Sequence, residues 1–358
     1  MPPSLLPVSQ RALLTHALLS SFTSMSSASS TRSVLTLSAP AKINLALAVA
    51  PPSPDPAHAG KHPIASWMMP ISLADDLTLT RLPDDYFSRY AVFWAEDALV
   101  HGARREIDWS ISKDLAVRAH RSLEAYTGRA LPIQLKLAKR IPAGSGLGGG
   151  SSDAAATLIA CDLLFDLHLS QAELLALAAA LGSDVPFFIH RAAALIEGMG
   201  DQVTLLGGTD GTASDPLHAV LCIPDFPCPT GPVYREFDAL PAPPAHPALD
   251  FAARVEAIRA LASIRAPLDP AAPFNDLAAA AQAYEPRLAE RMREAAAIAE
   301  RPDHLTGSGS AFFALCDDPL HAEFLARAVA GRVPDTLAHP ITLARHIPAA
   351  PARSHVAH

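Results

Sequence analysis

Several stretches of the chain alternate between apolar and polar residues. Residues 33–49 and 133–141 follow the two-residue period of a strand, and residues 71–79 form another strand-like run. Because alternation buries only one face, residues 133–141 predict a half-exposed strand, which favours an antiparallel neighbour, and Pro142 ends it. Residues 219–223 are apolar throughout and predict a further strand.

Other segments have the spacing and end signals of helices. Residues 114–126 carry apolar residues at helical spacing and stop before Gly128. Ser170 and Glu173 are spaced as a capping box, and Gly182 closes the helix that they open. Further helices are predicted over residues 154–160, 251–262 and 285–299. Strands and helices are mixed along the chain, so we expect an α+β fold.

The length of the chain, 358 residues, exceeds a single ordinary core and predicts two domains. Residues 207–216 and 240–249 are rich in glycine or proline, which places the change of domain near residue 200. We therefore expect an N-terminal domain over residues 34–200 and a C-terminal domain over residues 201–346.

The two ends of the chain have a different composition. Residues 1–33 are rich in serine and contain no acidic residue. They predict a disordered extension or a stretch upstream of a true start at Met25, and a signal or transit peptide is a third interpretation. Residues 347–358 are predicted to be an unordered tail.

Charge and cysteine content exclude some classes of function. The formal net charge of −8 argues against a general affinity for nucleic acids or membrane surfaces, which are themselves anionic. No apolar run approaches the ~18 residues that cross a bilayer. The cysteines lack metal-binding spacing, which favours reduced thiols and a cytoplasmic protein; they are Cys161, Cys222, Cys228 and Cys316.

A glycine-rich stretch carries the strongest chemical signal. Five glycines fall within residues 144–150, and Ser151, Ser152 and Asp153 follow, which offer capping groups for the next helix. Free N–H groups at a helix N-terminus attract anions, so we expect phosphate here, with a flexible linker as the alternative. The predicted loop residues are Pro142, Ala143, Gly144, Ser145, Gly146, Leu147, Gly148, Gly149, Gly150, Ser151 and Ser152.

Two common phosphate loops fit this stretch poorly. Residues 144–149 satisfy the G-x-G-x-x-G pattern of dinucleotide-binding proteins, which alone is a weak signal. That pattern should follow a strand buried on both faces, whereas residues 133–141 alternate. The Walker pattern fails because no Lys-Ser or Lys-Thr follows the last glycine. The stretch is therefore a third kind of loop.

A second pair of polar residues lies in the first predicted strand. Lys42 and Asn44 fall on one face, and Ile43, Leu45 and Leu47 fall on the other. The pair indicates either a solvated sheet face or a functional site.

The glycine stretch resembles the phosphate loop of the GHMP kinases, the superfamily of galactokinase, homoserine kinase and mevalonate kinase. Its longer form, residues 146–155, is most similar to the kinases that act on 4-(cytidine 5'-diphospho)-2-C-methyl-D-erythritol. Four more segments resemble that family in the same order, namely residues 40–45, 181–187, 274–277 and 305–310. The resemblance implies a two-domain GHMP kinase fold, with an N-terminal domain like ribosomal protein S5 domain 2 and a ferredoxin-like C-terminal domain.

The resemblance also implies an activity. Members of this family use ATP and Mg²⁺ to phosphorylate the 2-hydroxyl of that cytidine diphosphate alcohol, in the non-mevalonate route to isoprenoids. A homoserine or mevalonate type of GHMP kinase is the alternative, although residues 148–150 and the loop around His62 argue against it. A dinucleotide-binding module is a third hypothesis. We expect small-molecule partners only, and a monomer or weak homodimer.

Single residues acquire roles by the same resemblance. Asp184 matches the catalytic aspartate that takes the proton of the acceptor hydroxyl, and Lys42 would stabilise the developing charge beside it. Ser152, or else Ser151, would reach the magnesium ion that accompanies ATP. The implied substrate-binding residues are Asn44, His62, Tyr234, Gly307, Ser308 and Gly309.

Cytosine recognition is the part of the resemblance that departs from the family pattern. His62 is kept, but Lys61 stands where the family has an aromatic residue. Tyr234 matches a family aromatic that stacks on cytosine, and an ordinary buried tyrosine is an equally good interpretation of that position.

Overall fold

Two long antiparallel strands, β1 (Val34–Val49) and β2 (Ile64–Arg81), lie at the centre of the structure. The computed structural model describes residues 33–343 except residues 59, 100–106, 108, 207–215, 241–250 and 265–267. The strand predicted over residues 33–49 is confirmed. The second begins at Ile64 rather than at residue 71, because residues 65–71 are buried on both faces and so show no alternation.

The remaining strands extend this pair into one mixed sheet. On one side, β4 (Ile133–Lys139) is antiparallel to β2, as predicted, and β3 (Arg89–Trp94) is parallel to β4. The strands β5 (Ala194–Glu197) and β6 (Gln202–Leu205) pair at the end of β2.

The other side of the sheet comes from the C-terminal part of the chain. Beyond β2 follow β11 (Thr336–Leu343), β7 (Leu217–Pro224), β10 (Phe312–Cys316) and β9 (His304–Leu305). A short strand, β8 (Phe274–Asn275), runs parallel to β1. These pairs bring residues from both predicted domains against the central strands.

Four helices follow in the N-terminal half: α1 (Leu115–Thr127), α2 (Gly149–Phe165), α3 (Gln171–Leu181) and α4 (Val185–His190). Asp114 caps α1 and Gly128 ends it in the left-handed conformation, as predicted. The capping box of Ser170 and Glu173 is present at α3. Apolar side chains of α1 and α2 form one core with β1, β2 and β4.

The predicted start of α2 is wrong. The helix begins at Gly149, with Gly148 as its capping residue at φ 73°, so Ser151, Ser152 and Asp153 lie within the first turns. Because Gly148 makes the turn in the left-handed region, the chain is already helical before it reaches the serines.

Five helices are described in the C-terminal half: α5 (Thr230–Ala239), α6 (Phe251–Ser263), α7 (Ala278–Tyr284), α8 (Pro286–Ala299) and α9 (Pro319–Ala330). The helices predicted over residues 251–262 and 285–299 are confirmed. From Ser33 onward the described residues fall within one compact unit. The division near residue 200 stays a prediction.

Two further predictions concern the ends and the membrane. The proposed extension over residues 1–33 lies outside the described residues apart from Ser33, and the tail over residues 347–358 lies wholly outside them. Within the described part of the chain, no helix is both long and apolar enough to cross a bilayer.

Candidate active site

The glycine loop separates two cavities. The larger has a volume of about 850 Å³ and the smaller about 350 Å³. Gly146 and Gly148 line both of them, so the loop is their common wall. A ligand in the smaller cavity would therefore lie beside a ligand in the larger one.

The smaller cavity has the properties of an anion site. The first turn of α2 opens onto it, and the N–H groups there have no carbonyl partner one turn earlier within the helix. The positive end of the helix dipole adds to their attraction for phosphate. Trp109 and Lys113 also line this cavity. The predicted loop residues that line this cavity are Pro142, Ala143, Gly144, Ser145, Gly146, Leu147, Gly148, Gly149, Gly150 and Ser151.

Lys42 and Asn44 lie at the base of the larger cavity. The pairing of β1 with β2 shifts register between Pro40 and Lys42 and again between Asn44 and Ala46, which re-aims side chains along this part of the strand. Both residues are buried, and Lys42 Nζ donates a hydrogen bond to Asn44 Oδ1 at 2.7 Å. The pair is adjacent, as predicted, and the solvated-face alternative is wrong.

Asn44 is itself fixed by its other bonds. Its side-chain Nδ2 donates to Ser66 Oγ at 2.7 Å, and Ser66 Oγ donates to the carbonyl of Ala46 at 2.8 Å. Its backbone N–H donates to Thr306 Oγ1 at 2.9 Å. With every polar group satisfied, the amide holds the Lys42 ammonium in one place.

A second glycine turn, residues 306–309, packs directly on the glycine loop. A Cβ at Gly146 would lie 2.7 Å from the Thr306 carbonyl oxygen and 3.0 Å from that of Gly309. Only glycine permits this approach, and its φ of +78° also favours glycine. Gly307 and Ser308 line the larger cavity, whereas Gly309 packs against Leu305 and Cys228 outside it.

Asp184 lies on the wall of the same cavity. It precedes α4, and its carboxylate makes no capping bond to that helix. Burial lowers the pKa of the Lys42 ammonium, and the negative charge of Asp184 opposes part of that shift. Burial, together with the same carboxylate, raises the pKa of Tyr234 to about 12. The three side chains therefore share one electrostatic environment.

The far end of the larger cavity is lined by His62 and by α5. His62 is buried, and its Nδ1 lies 2.8 Å from the carbonyl oxygen of Ala50. The ring centroids of His62 and Tyr234 are 5.0 Å apart, and His62 Nε2 lies 3.4 Å from Asp238 Oδ1. The structure thus brings together the two residues predicted to recognise a base.

Ser152, like Gly309, is a predicted site residue that lines neither cavity. It is buried, and its Oγ has no hydrogen-bond partner among the described residues. Ser151, one residue earlier, lines the smaller cavity. The described residues contain no group of three or more His, Cys, Asp and Glu side chains that could hold a metal ion by themselves.

A buried ion triad behind the loop was missed by the sequence reasoning. Lys139 Nζ lies 2.7 Å from Asp75 Oδ2 and 2.5 Å from Asp153 Oδ2. Asp75 Oδ1 also accepts the backbone N–H of Ile141 at 2.8 Å. Burial opposes the charge on Lys139, but the two carboxylates outweigh it and raise its pKa. The triad ties β2, the end of β4 and the first turns of α2 together, so it holds both ends of the loop.

Comparison with known proteins agrees with this arrangement. The family model described as the GHMP kinases N terminal domain matches residues 114–192, and the GHMP kinases C terminal model matches residues 258–335. A crystal structure of a 4-(cytidine 5'-diphospho)-2C-methyl-D-erythritol kinase superposes with a TM-score of 0.64 at 32% identity, covering 87% of this chain and 99% of that one. A homoserine kinase from Cytophaga hutchinsonii has the same fold, with a TM-score of 0.62, 17% identity, and coverage of 91% and 98% of the two chains.

Curated relatives lead to the same family. The 4-diphosphocytidyl-2-C-methyl-D-erythritol kinase of Caulobacter sp. (strain K31) is 35% identical over 306 residues, which cover 83% of this chain and 94% of that protein. The enzyme of the same name from Nocardioides sp. (strain ATCC BAA-499 / JS614) is 36% identical over 324 residues, or 87% and 97% of the two chains. The chain belongs to the 4-diphosphocytidyl-2-C-methyl-D-erythritol kinase family of the GHMP kinases.

Proposed function

We propose that this protein transfers the γ-phosphoryl group of ATP to the 2-hydroxyl of 4-(cytidine 5'-diphospho)-2-C-methyl-D-erythritol. The observation that carries the proposal is the meeting of two cavities at the glycine loop, with Lys42 and Asp184 on the acceptor side. The names of the relatives supply the identity of the acceptor.

The smaller cavity is proposed to hold ATP. The triphosphate would receive hydrogen bonds from the N–H groups of the loop and of the first turn of α2. Gly307 and Ser308 lie across the loop on the acceptor side, where they would close over the γ-phosphate. The γ-phosphate is thus proposed to lie at the boundary of the two cavities, between the two glycine turns.

The chemistry assigned to the site is an in-line phosphoryl transfer. The acceptor oxygen forms a bond to the γ-phosphorus while the bond to the ADP oxygen breaks, and Asp184 takes the proton from the acceptor hydroxyl. Lys42 stabilises the charge on the transferring phosphoryl group. Asn44 holds the Lys42 ammonium and orients the acceptor alcohol.

Mg²⁺ fits the donor set that the loop offers. Ser152 Oγ is a buried hydroxyl without a partner among the described residues, and Ser151 lies next to it on the cavity wall. When bound with the nucleotide, Mg²⁺ would neutralise phosphate charge while keeping several of its waters. Ser151, on the cavity wall, is the residue proposed to hold it, with the unpartnered hydroxyl of Ser152 as the alternative.

The far end of the larger cavity is proposed to receive the cytidine diphosphate. Tyr234 would stack on the base and His62 would bond its edge. Lys61 and Arg235 are exposed and line the same cavity, so they place positive charge where the diphosphate would lie. In this arrangement Lys61 serves the diphosphate and Tyr234 alone supplies the ring.

The other hypotheses have less support. The homoserine kinase is similar in fold only, at 17% identity. A dinucleotide-binding module predicts that NAD raises the melting temperature, whereas a kinase predicts that Mg-ATP does.

The deciding experiment measures ADP release by the purified protein with Mg-ATP and a panel of alcohols. The panel contains the cytidine diphosphate alcohol, homoserine and mevalonate. We expect turnover with the first alone. Turnover with another alcohol, or none, would contradict the proposal. Sedimentation of the same sample tests the expectation of a monomer or weak homodimer.

A further inference from the structure

A buried aromatic ring lies behind the wall of the larger cavity, at the point where the glycine loop meets Lys42. A Cβ added at Gly148 would lie 2.9 Å from Phe188 Cζ, 3.0 Å from Phe188 Cε2 and 3.2 Å from Lys42 Cγ. The tip of the ring and the stem of the lysine therefore pack against the same glycine. Phe188 is 2% exposed and lines neither of the two cavities, so it acts from behind the site.

Lys42 is enclosed along its length by the two glycine turns. Its Cγ packs at Gly148, and its Nζ would lie 3.3 Å from a Cβ added at Gly307. The ammonium donates to Asn44 Oδ1 at 2.7 Å. Because Gly148 has no side chain, the Phe188 ring behind it closes the space beside the lysine stem.

Phe188 also belongs to the helix that begins at the proposed catalytic base. Asp184 is the N-terminal capping residue of α4, and Phe188 follows four positions later, so the two lie on the same side of the helix, one turn apart. The contact of the ring with Gly148 limits how closely α4 approaches the glycine loop. It therefore also sets the separation between Asp184 and Lys42.

The neighbouring residue, Phe187, separates this role from ordinary core packing. Phe187 is 1% exposed, the centroid of its ring lies 5.0 Å from that of Phe188, and both belong to the same core. The atoms nearest to a Cβ added at Gly148 come from Phe188 and Lys42, not from Phe187. Burial is thus matched at the two positions, whereas close contact with this glycine is made by Phe188.

We propose that Phe188 is a positioning residue for the phosphoryl transfer, whose ring holds Lys42 and the glycine loop in place relative to Asp184 and keeps water from the lysine stem. The ring touches neither substrate, so its effect passes through Lys42 and α4. This inference rests on the proposed function, because it assumes that Lys42 and Asp184 act on the transferring group and the acceptor.

The test compares Phe188→Leu with Phe187→Leu in the purified enzyme. Leucine is shorter and withdraws from Gly148, so kcat of Phe188→Leu should fall by roughly 10- to 100-fold, since a misplacement of about 1 Å can cost 10²-fold. The KM values for Mg-ATP and for the cytidine substrate should change little, because Phe188 lines neither cavity. Phe187→Leu loses the same buried volume and should keep the wild-type kcat.

The titration of Lys42 gives a readout that lost packing elsewhere would not move. Burial lowers the pKa of its ammonium, and the carboxylate of Asp184 opposes part of that shift. Phe188→Leu lets water approach the stem, so the pKa should rise toward the ordinary lysine value and the alkaline limb of the pH–rate profile should move to higher pH. Asn44 and the two glycine turns carry no titratable side chain, and Tyr234 titrates separately, with its pKa raised to about 12.

Nitrogen NMR of the lysine side chains, assigned with Lys42→Arg, follows the same titration in the substrate-free protein. Equal loss of turnover in the two leucine variants, or an unmoved Lys42 titration in Phe188→Leu, would overturn the proposal. Turnover of the cytidine diphosphate alcohol by the wild-type enzyme is measured alongside. Its absence refutes the proposed function, whereas the NMR titration still decides whether Phe188 shields Lys42.

Discussion

The contact between the two glycine turns can be measured by a series of glycine-to-alanine variants. At Gly146 an added Cβ would meet the Thr306 carbonyl oxygen at 2.7 Å, and φ is +78°. At Gly144, on the same loop, φ is +71° but the nearest atom is Pro227 Cβ at 3.5 Å. At Gly128, far from the loop, φ is +66° and nothing lies within 4 Å. The three sites share the backbone effect and differ in the steric one.

The expected effects follow from these distances. A left-handed conformation costs an L-residue about 1–2 kcal/mol, which should be the whole loss of stability for Gly128→Ala and Gly144→Ala. Gly146→Ala adds a clash with backbone that cannot rotate away, and overpacking costs about 1–3 kcal/mol more. The total for Gly146→Ala is therefore about 2–5 kcal/mol.

Denaturant unfolding gives the free energies of unfolding, and titration with Mg-ATP gives the nucleotide affinity. Gly146→Ala should lose affinity as well as stability, because the second turn must move away from the phosphates. Gly128→Ala should lose stability alone. The reasoning is refuted if Gly146→Ala and Gly144→Ala are equally stable and bind Mg-ATP equally well.

Four further predictions concern the chemistry. Asp184→Asn keeps the shape of the side chain but cannot take the proton, so turnover should fall by ~10²–10⁴-fold with little change in nucleotide affinity. Single-turnover kinetics measure the first quantity and titration with Mg-ATP measures the second. Activity within a few-fold of wild type would show that Asp184 has a structural role. Tyr234→Ala should raise the KM for the cytidine substrate by tens-fold, since a stacking ring contributes ~1–3 kcal/mol per base, and should leave the KM for ATP unchanged. Equal effects on both KM values would show that Tyr234 is an ordinary buried tyrosine and does not stack on the base. Burial lowers the pKa of Lys42, so activity should fall on the alkaline side below the usual lysine pKa as its ammonium loses the proton. Lys42→Arg, although slower, should shift that limb of the pH–rate profile to higher pH, and an unmoved limb would exclude Lys42 as its source. Trp109 lines the smaller cavity, which is proposed to hold ATP, so Mg-ATP should change the tryptophan fluorescence of wild type and of Trp94→Phe but not of Trp109→Phe.

The sequence predicted those parts of the site that depend on local pattern. Alternation in the first strand placed Lys42 beside Asn44, and the density of glycines identified the loop that lines both cavities. The start of α2 was mispredicted, because the left-handed turn at Gly148 takes precedence over the capping preference of the serines that follow. Local pattern also gave no indication that Thr306 would bond to Asn44.

The partners of a buried charge were the other feature beyond reach of the sequence. Lys139 lies on the same face of β4 as Leu135 and Leu137, so the alternation itself places this charged side chain in the interior. Its burial is tolerated because Asp75 and Asp153, from β2 and α2, enclose the ammonium. Periodicity describes one segment at a time, whereas this burial depends on three segments that meet only in the folded chain.

The bond between Asn44 and Thr306 has a consequence for the growing polypeptide. The two residues are 262 positions apart, so at typical synthesis rates roughly 13–50 s separate their appearance at the ribosome. During that interval the first half of the chain carries the glycine loop but lacks the second turn that packs on it. A nascent or truncated chain that ends before residue 306 should therefore be unable to turn over ATP. The chain should become catalytically active only when translation is nearly complete.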